Sequence, residues 1–150
     1  MTTPEPVLTP RLIVQGAARA IEVYTEVFGA ECLERFATPE GHIVHAALSI
    51  RGAVFSVVDD DGTHSFAPKS PGDSPVLLHL AVDDPDAVAE LLVARGGEIL
   101  IPVDDRFYGY REGRVADPFG HAWIVSRKIA ALDDETLQKG IDEWAAGHPR

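Results

Sequence analysis

The 150-residue chain predicts an α+β fold: two tandem βαβββ modules forming a curved, cup-like mixed sheet, with one further helix at the C-terminus. Three observations carry this prediction. Short, branched apolar runs and amphipathic stretches follow one another in the same order twice. The pairs Val14/Val82, Gly29/Gly97, Gly41/Gly109 and Gly52/Gly120 share a constant offset of 68 residues, and three of them are glycines at turn positions. An acidic stretch rich in Gly, Pro and Ser, Asp59 to Ser74, separates the two copies as a solvated connection. The modules span about 7–60 and 75–128 and the tail helix about 133–146, within one domain, because a chain of this length supports a single packed core.

Leu8 to Val14 is an apolar run interrupted by Pro10, the pattern of an edge strand, and Gly16 closes it. Ala17 to Phe28 places Ala20, Ile21, Tyr24, Val27 and Phe28 at helical spacing, with Gly29 where a helix end needs a left-handed residue. Ile43 to Ile50 and Ala53 to Val58 are two further strands joined at Arg51-Gly52. In the second copy, Val76 to Val82 is a strand, Asp84-Pro85 opens a helix as N-cap and first-turn proline, and Ala94 to Gly97 closes it. Ile99 to Val103, Arg114 to Ala116 and His121 to Ser126 supply its remaining strands. Asp117-Pro118-Phe119-Gly120 forms the last turn as an Asp-capped backbone, which leaves His121 structural or exposed. Beyond Lys128, Asp133 is an N-cap candidate for a helix whose apolar face, Leu137, Ile141, Trp144 and Ala145, requires a partner surface.

Composition narrows the function. Thirteen Lys and Arg against 24 Asp and Glu give a net charge of −11, so nucleic acid and anionic membrane surfaces are repelled. A lone thiol, Cys32, permits neither an internal disulfide nor a cysteine zinc site, and fits a reducing cytoplasm. No secretory leader or membrane span is expected. Asp59-Asp60-Asp61 lacks the spaced oxygens and distal Glu of a calcium loop, and no P-loop, dinucleotide glycine motif or Ser-His-Asp order is present.

The segments TPRLIVQGAARAIEVYTEVFGAE, GHIVHAALSIRGAVFSVVDD and DRFYGYREGRVADPFGHAW resemble the PhnB-like branch of the vicinal-oxygen-chelate superfamily, which includes glyoxalase, bleomycin-resistance and extradiol dioxygenase proteins. The resemblance runs from Thr9 to about Glu143. It implies paired βαβββ modules around a ligand cleft, often in homodimers. It also implies that a metal, in the members that use one, would be held at Thr9, Ser56, Leu77 and Ile124. Leucine and isoleucine donate nothing to a divalent ion and two neutral hydroxyls are a poor set, so neither metal nor cofactor is expected.

Strand alternation places Arg11 and His79 on the same face as Thr9 and Leu77, and puts His45 with Ile43, Ala47 and Ser49. Family members commonly carry Glu where Ala47 stands, so a carboxylate often available for acid/base work is missing there. His79 is either a buried core imidazole or a ligand-facing donor or base, and Arg11 either neutralises an anionic ligand or is solvated. Asp105 to Arg111 concentrates three aromatics and two arginines around Gly109, suited to stacking on a planar ligand or to packing as a loop. Phe107 and Tyr108 are assigned the structural part of that loop, Tyr110 the ligand side, and Trp123 the core.

The expected ligand-binding residues are therefore Arg11, His45, Ser56, His79, Tyr110 and Arg111, serving a small, planar or aromatic molecule in a metal-free cleft. Two alternatives stay open. One is an enzyme of the same superfamily, either a metal-dependent lyase, isomerase or dioxygenase, or an acid/base catalyst using His79 or His45. The other is an interaction module acting through the tail helix.

Overall fold

The computed structural model of the chain describes residues 3–149. The first module runs β1 (Arg11–Val14), α1 (Ala17–Phe28), β2 (Glu31–Ala37), β3 (Ile43–Ile50) and β4 (Ala53–Asp59). The second runs β5 (Leu77–Ala81), α2 (Pro85–Ala94), β6 (Glu98–Asp105), β7 (Tyr110–Ala116) and β8 (Ala122–Lys128), followed by α3 (Asp134–Gly147). Each module forms its own four-stranded sheet, ordered β1-β4-β3-β2 and β5-β8-β7-β6. The first and last strand of each module are parallel, and the other pairs antiparallel.

Local chemistry explains most boundaries. Gly29, at φ 68°, ends α1 in a left-handed conformation, its N–H bonding the Thr25 carbonyl at 3.1 Å while the Ala30 N–H bonds the Tyr24 carbonyl at 3.3 Å. The Asp84 carboxylate accepts the Ala87 N–H at 3.1 Å and caps α2 behind Pro85. Strand β2, whose seven residues are all exposed, is not among the strands expected from sequence. With neither face buried, ECLERFA shows no two-residue apolar alternation, and pairing to β3 alone defines it as an edge strand. Strand β1 is shorter than expected: among residues 3–10, the backbone bond to β4 is the Ser56 N–H to the Pro10 carbonyl at 2.8 Å. Asp59 also departs from the solvated role expected of it. It ends β4, and its carboxylate accepts the N–H groups of Ala17 at 2.7 Å and Ile43 at 2.8 Å.

Registers make the duplication explicit. Arg11 pairs with Ser56 on one sheet and His79 with Ile124 on the other, preserving the 68-residue offset. Extending each row gives Arg11–Ser56–Ala47–Glu34 and His79–Ile124–Arg114–Ile101. Arg114 thus occupies in the second sheet the place of Ala47 in the first. The offset slips by one residue here because β3 bulges between its pairings with Phe36 and Ala37, at Val44.

One core joins the modules. Leu12, Val14, Tyr24, Leu48 and Val57 pack in the same cluster as Leu92, Val115, Phe119, Trp123 and Val125. At its centre the buried Asp117 carboxylate accepts the Tyr24 hydroxyl at 2.6 Å, the Trp123 indole N–H at 2.8 Å, and the N–H groups of Phe119 and His121 at 2.9 and 3.1 Å. Burial, and then Asp117, push the Tyr24 phenol well above its ordinary pKa. The His121 ring is buried and donates from Nε2 to the Ile13 carbonyl at 2.8 Å, tying β1 to the second module. No described helix is long and apolar enough to cross a membrane.

Candidate functional site

The second sheet and the tail helix together wall a cavity of about 610 Å³. Its floor is Ile101, Arg114 and Ile124, neighbours in one row across β6, β7 and β8. Phe107 and Tyr108 rise from the β6–β7 turn, and Ile141 and Trp144 descend from α3. The turn is held by the Arg106 N–H bonding the Tyr110 carbonyl at 2.7 Å and by Gly109 at φ 87°. A Cβ at Gly109 would lie 2.6 Å from the Ala130 carbonyl oxygen, so only glycine lets the chain leading to α3 pass so close. Asp133 caps α3 by accepting the Thr136 N–H at 2.8 Å, and Gly140 lets the helix approach the Phe107 ring.

The polar lining is Asp105, Arg106, Glu112 and Arg114. Arg106 donates to the backbone carbonyls of Pro102 and, at 3.3 Å, Glu112. The Glu112 carboxylate accepts the Tyr108 hydroxyl, and burial together with that contact pushes the phenol up to about 12. Asp105 accepts a guanidinium hydrogen bond from Arg111 at 3.0 Å. The Arg114 Nε is buried and finds no hydrogen-bond partner among the described residues.

A second polar group lies on the first sheet. Arg11 donates to His45 Nδ1 at 3.3 Å, and His45 Nε2 meets the Glu34 carboxylate at 3.0 Å, with the Phe36 ring stacked on the imidazole. A guanidinium only donates and a carboxylate only accepts, which assigns the proton to Nε2 and the lone pair to Nδ1. Glu34 is the register partner of Ala47, so a neighbouring strand brings a carboxylate to the face where position 47 lacks one.

The six expected site residues divide into three groups. Arg11, His45 and Ser56 share the first sheet's face, with Ser56 buried beside Arg11. His79 lies on the cavity side of the second sheet, one strand beyond Ile124, and its Nε2 is in a 2.6 Å hydrogen bond with the Ser126 hydroxyl. Tyr110 and Arg111 lie outside the cavity wall. The Tyr110 ring packs 6.3 Å from Tyr108, and Arg111 points to the helix side, where it grips Asp86 at 2.7 and 2.8 Å. Its hydrogen bonds to Asp86 and Asp105 raise the Arg111 pKa and lower that of Asp86.

Phe107 and Tyr108, assigned a structural part from sequence, wall the cavity. Arg114 and Glu112 were missed. Alternation along β7 would have placed both with Tyr110, had the strand been extended back from Arg114. Glu34 and Phe36 carried no signal because β2 carried none.

The four positions that the resemblance assigns to a metal do not fit one. Ser56 and Ile124 are register equivalents, and Leu77 and Ile124 present only hydrocarbon. No cluster of three or more His, Cys, Asp or Glu side chains suited to a metal occurs among the described residues.

Comparison with known proteins agrees with this architecture. An uncharacterized protein of Mycobacterium bovis is 36% identical over 147 residues, spanning 95% of this chain and 97% of its own length. The crystal structure of TioX from Micromonospora sp. ML1 matches at 26% identity with a TM-score of 0.63, covering 83% of this chain and 99% of TioX. A PhnB protein from Bacillus cereus shares the fold at 22% identity and a TM-score of 0.62, over 81% of this chain and 98% of that one. The profile of the Glyoxalase/Bleomycin resistance protein/Dioxygenase superfamily matches residues 7–125, and the chain belongs to that superfamily, with PhnB-like members among its structural neighbours.

Proposed function

We propose that the protein binds a small, planar or aromatic molecule, without a metal ion, in the cavity between the second sheet and α3. The observation that carries this reading is the cavity's composition. It has about 610 Å³ of space, three aromatic side chains and three isoleucines on its walls, and a few polar groups converging from one strand and one turn. That volume lies within the range of roughly 300–1,000 Å³ typical of small-molecule sites. Flat rings suit such walls because offset and edge-on aromatic contacts add to the area buried. The exposed thiol of Cys32 suits a reducing compartment, and the cytoplasm is the location we assign.

The competing reading is an acid/base enzyme using His45 or His79. The hydrogen bond from His45 to Glu34 favours it, since a carboxylate behind an imidazole fixes the ring's tautomer and orientation. The Arg11 donor opposes it, because Nδ1 is the only lone pair and Arg11 occupies it. His79 has no carboxylate hydrogen-bonded to it among the described residues.

A thermal-shift screen of the full chain against divalent metals and planar aromatic compounds tests the metal-free binding reading against the metal-dependent alternative. A ligand of the folded state raises the melting temperature by mass action. The binding reading expects stabilisation by at least one aromatic compound and none by metals. Stabilisation by a divalent ion at stoichiometric concentration, with every organic compound silent, would replace it with the metal-dependent alternative.

A further inference from the structure

We propose that the molecule bound in this cavity is an anion, specifically a planar aromatic carboxylate, and that Arg114 is the residue that selects it. The inference rests on the cavity reading above and adds the charge of the ligand. Half-buried, Arg114 stands at the middle of the cavity floor between the hydrocarbon side chains of Ile101 and Ile124. Its Nε is buried and has no partner among the described residues. A guanidinium carries only donors, so the missing group must be an acceptor.

Neither carboxylate lining the cavity pairs with Arg114. Glu112 accepts the Tyr108 hydroxyl, and Asp105 accepts Arg111. Arg106 donates to backbone carbonyls, which carry no charge to balance its own. Among the described residues, neither Arg106 nor Arg114 forms a salt bridge. Two guanidinium groups without an ion pair, Arg106 and Arg114, share the cavity with two carboxylates, Glu112 and Asp105, and Asp105 shares its one cation among the described residues, Arg111, with Asp86. A carboxylate matches the fork of an arginine with two parallel acceptors, which a neutral carbonyl does not. Its ring would lie against Tyr108 and Trp144.

Matched pairs of probes test the charge separately from the shape: benzoate, 2-naphthoate and anthracene-2-carboxylate, each against its own carboxamide. Each is titrated into the full chain at neutral pH, read by the shift in melting temperature and by tryptophan fluorescence, to which the exposed Trp144 responds while Trp123 is buried. The expected result is that at least one carboxylate binds ten or more times as tightly as its amide. Arg114→Met removes that preference, bringing carboxylate affinity down to that of the amide, and Arg114→Lys keeps part of it. Should Arg114→Met fail to fold, the comparison of carboxylate with amide in the parent chain, together with Arg114→Lys, still decides. Equal binding of a carboxylate and its amide, or a preference that persists in Arg114→Met, overturns the charge inference and leaves the cavity reading standing. Silence from all six compounds overturns both.

Discussion

Asp117 holds the two modules together at a single carboxylate. Two of its donors, the Tyr24 hydroxyl and the Trp123 indole, come from different modules, so removing either leaves a buried acceptor short of a partner. Tyr24→Phe is expected to lower stability by about 1–3 kcal/mol, measured by urea unfolding, through loss of this one hydrogen bond and without a cavity. Tyr108 supplies a pH-dependent counterpart. Its phenol is pushed up to about 12, so the folded protein holds a proton that the unfolded chain releases near pH 10. Stability is therefore unaffected by this group below about pH 10 and falls as pH rises from about 10 to about 12, where the unfolded state binds fewer protons. Tyr108→Phe should flatten that part of the curve of unfolding midpoint against pH. An unchanged slope would mean that Tyr24, shifted in the same direction, accounts for it alone.

Among the elements, α3 is the one whose role depends on what lies beneath it. None of its residues is buried, yet Ile141 and Trp144 form one wall of the cavity. Removing residues 131–150 is expected to cost no more than about 1 kcal/mol of stability, because little apolar area leaves the core, while abolishing binding of any compound that stabilises the full chain. Retained binding after truncation would move the site elsewhere. The helices were legible in the sequence because Gly29, the Asp84-Pro85 pair and Asp133 state their ends chemically, and the strands of the inner rows because one of their faces is buried. The strand β2 was illegible because both its faces are exposed, and the Glu34–His45–Arg11 contact was hidden with it. The cavity was partly legible. The aromatic-rich turn and the apolar face of the tail helix each stood out, but their meeting over Arg114 depends on a long-range placement that no local pattern encodes.

For the molecule as a whole, duplication has produced two sheet faces with different chemistry. The first presents Arg11, His45 and Glu34 with Phe36 57% exposed, and the second presents Arg114 beneath α3. The superfamily resemblance suggests a homodimer. Apolar side chains left exposed on the first sheet, Leu33, Phe36, Val44 and Val54, are of the kind such an interface would cover. Light scattering of the full chain should give twice the mass of 16.2 kDa, and a monomer across the micromolar range would remove that assignment.

The central claim is that ligand enters the cavity under α3 and not the open face of the first sheet, and a ¹H–¹⁵N correlation spectrum recorded during titration with a planar aromatic carboxylate tests it most directly. Binding under α3 shifts the Trp144 indole signal and the amides of Arg106, Tyr108 and Arg114 together while the Trp123 indole, held by Asp117, stays in place. Shifts confined to Arg11, Glu34, Phe36 and His45 would contradict it and place the site on the other module.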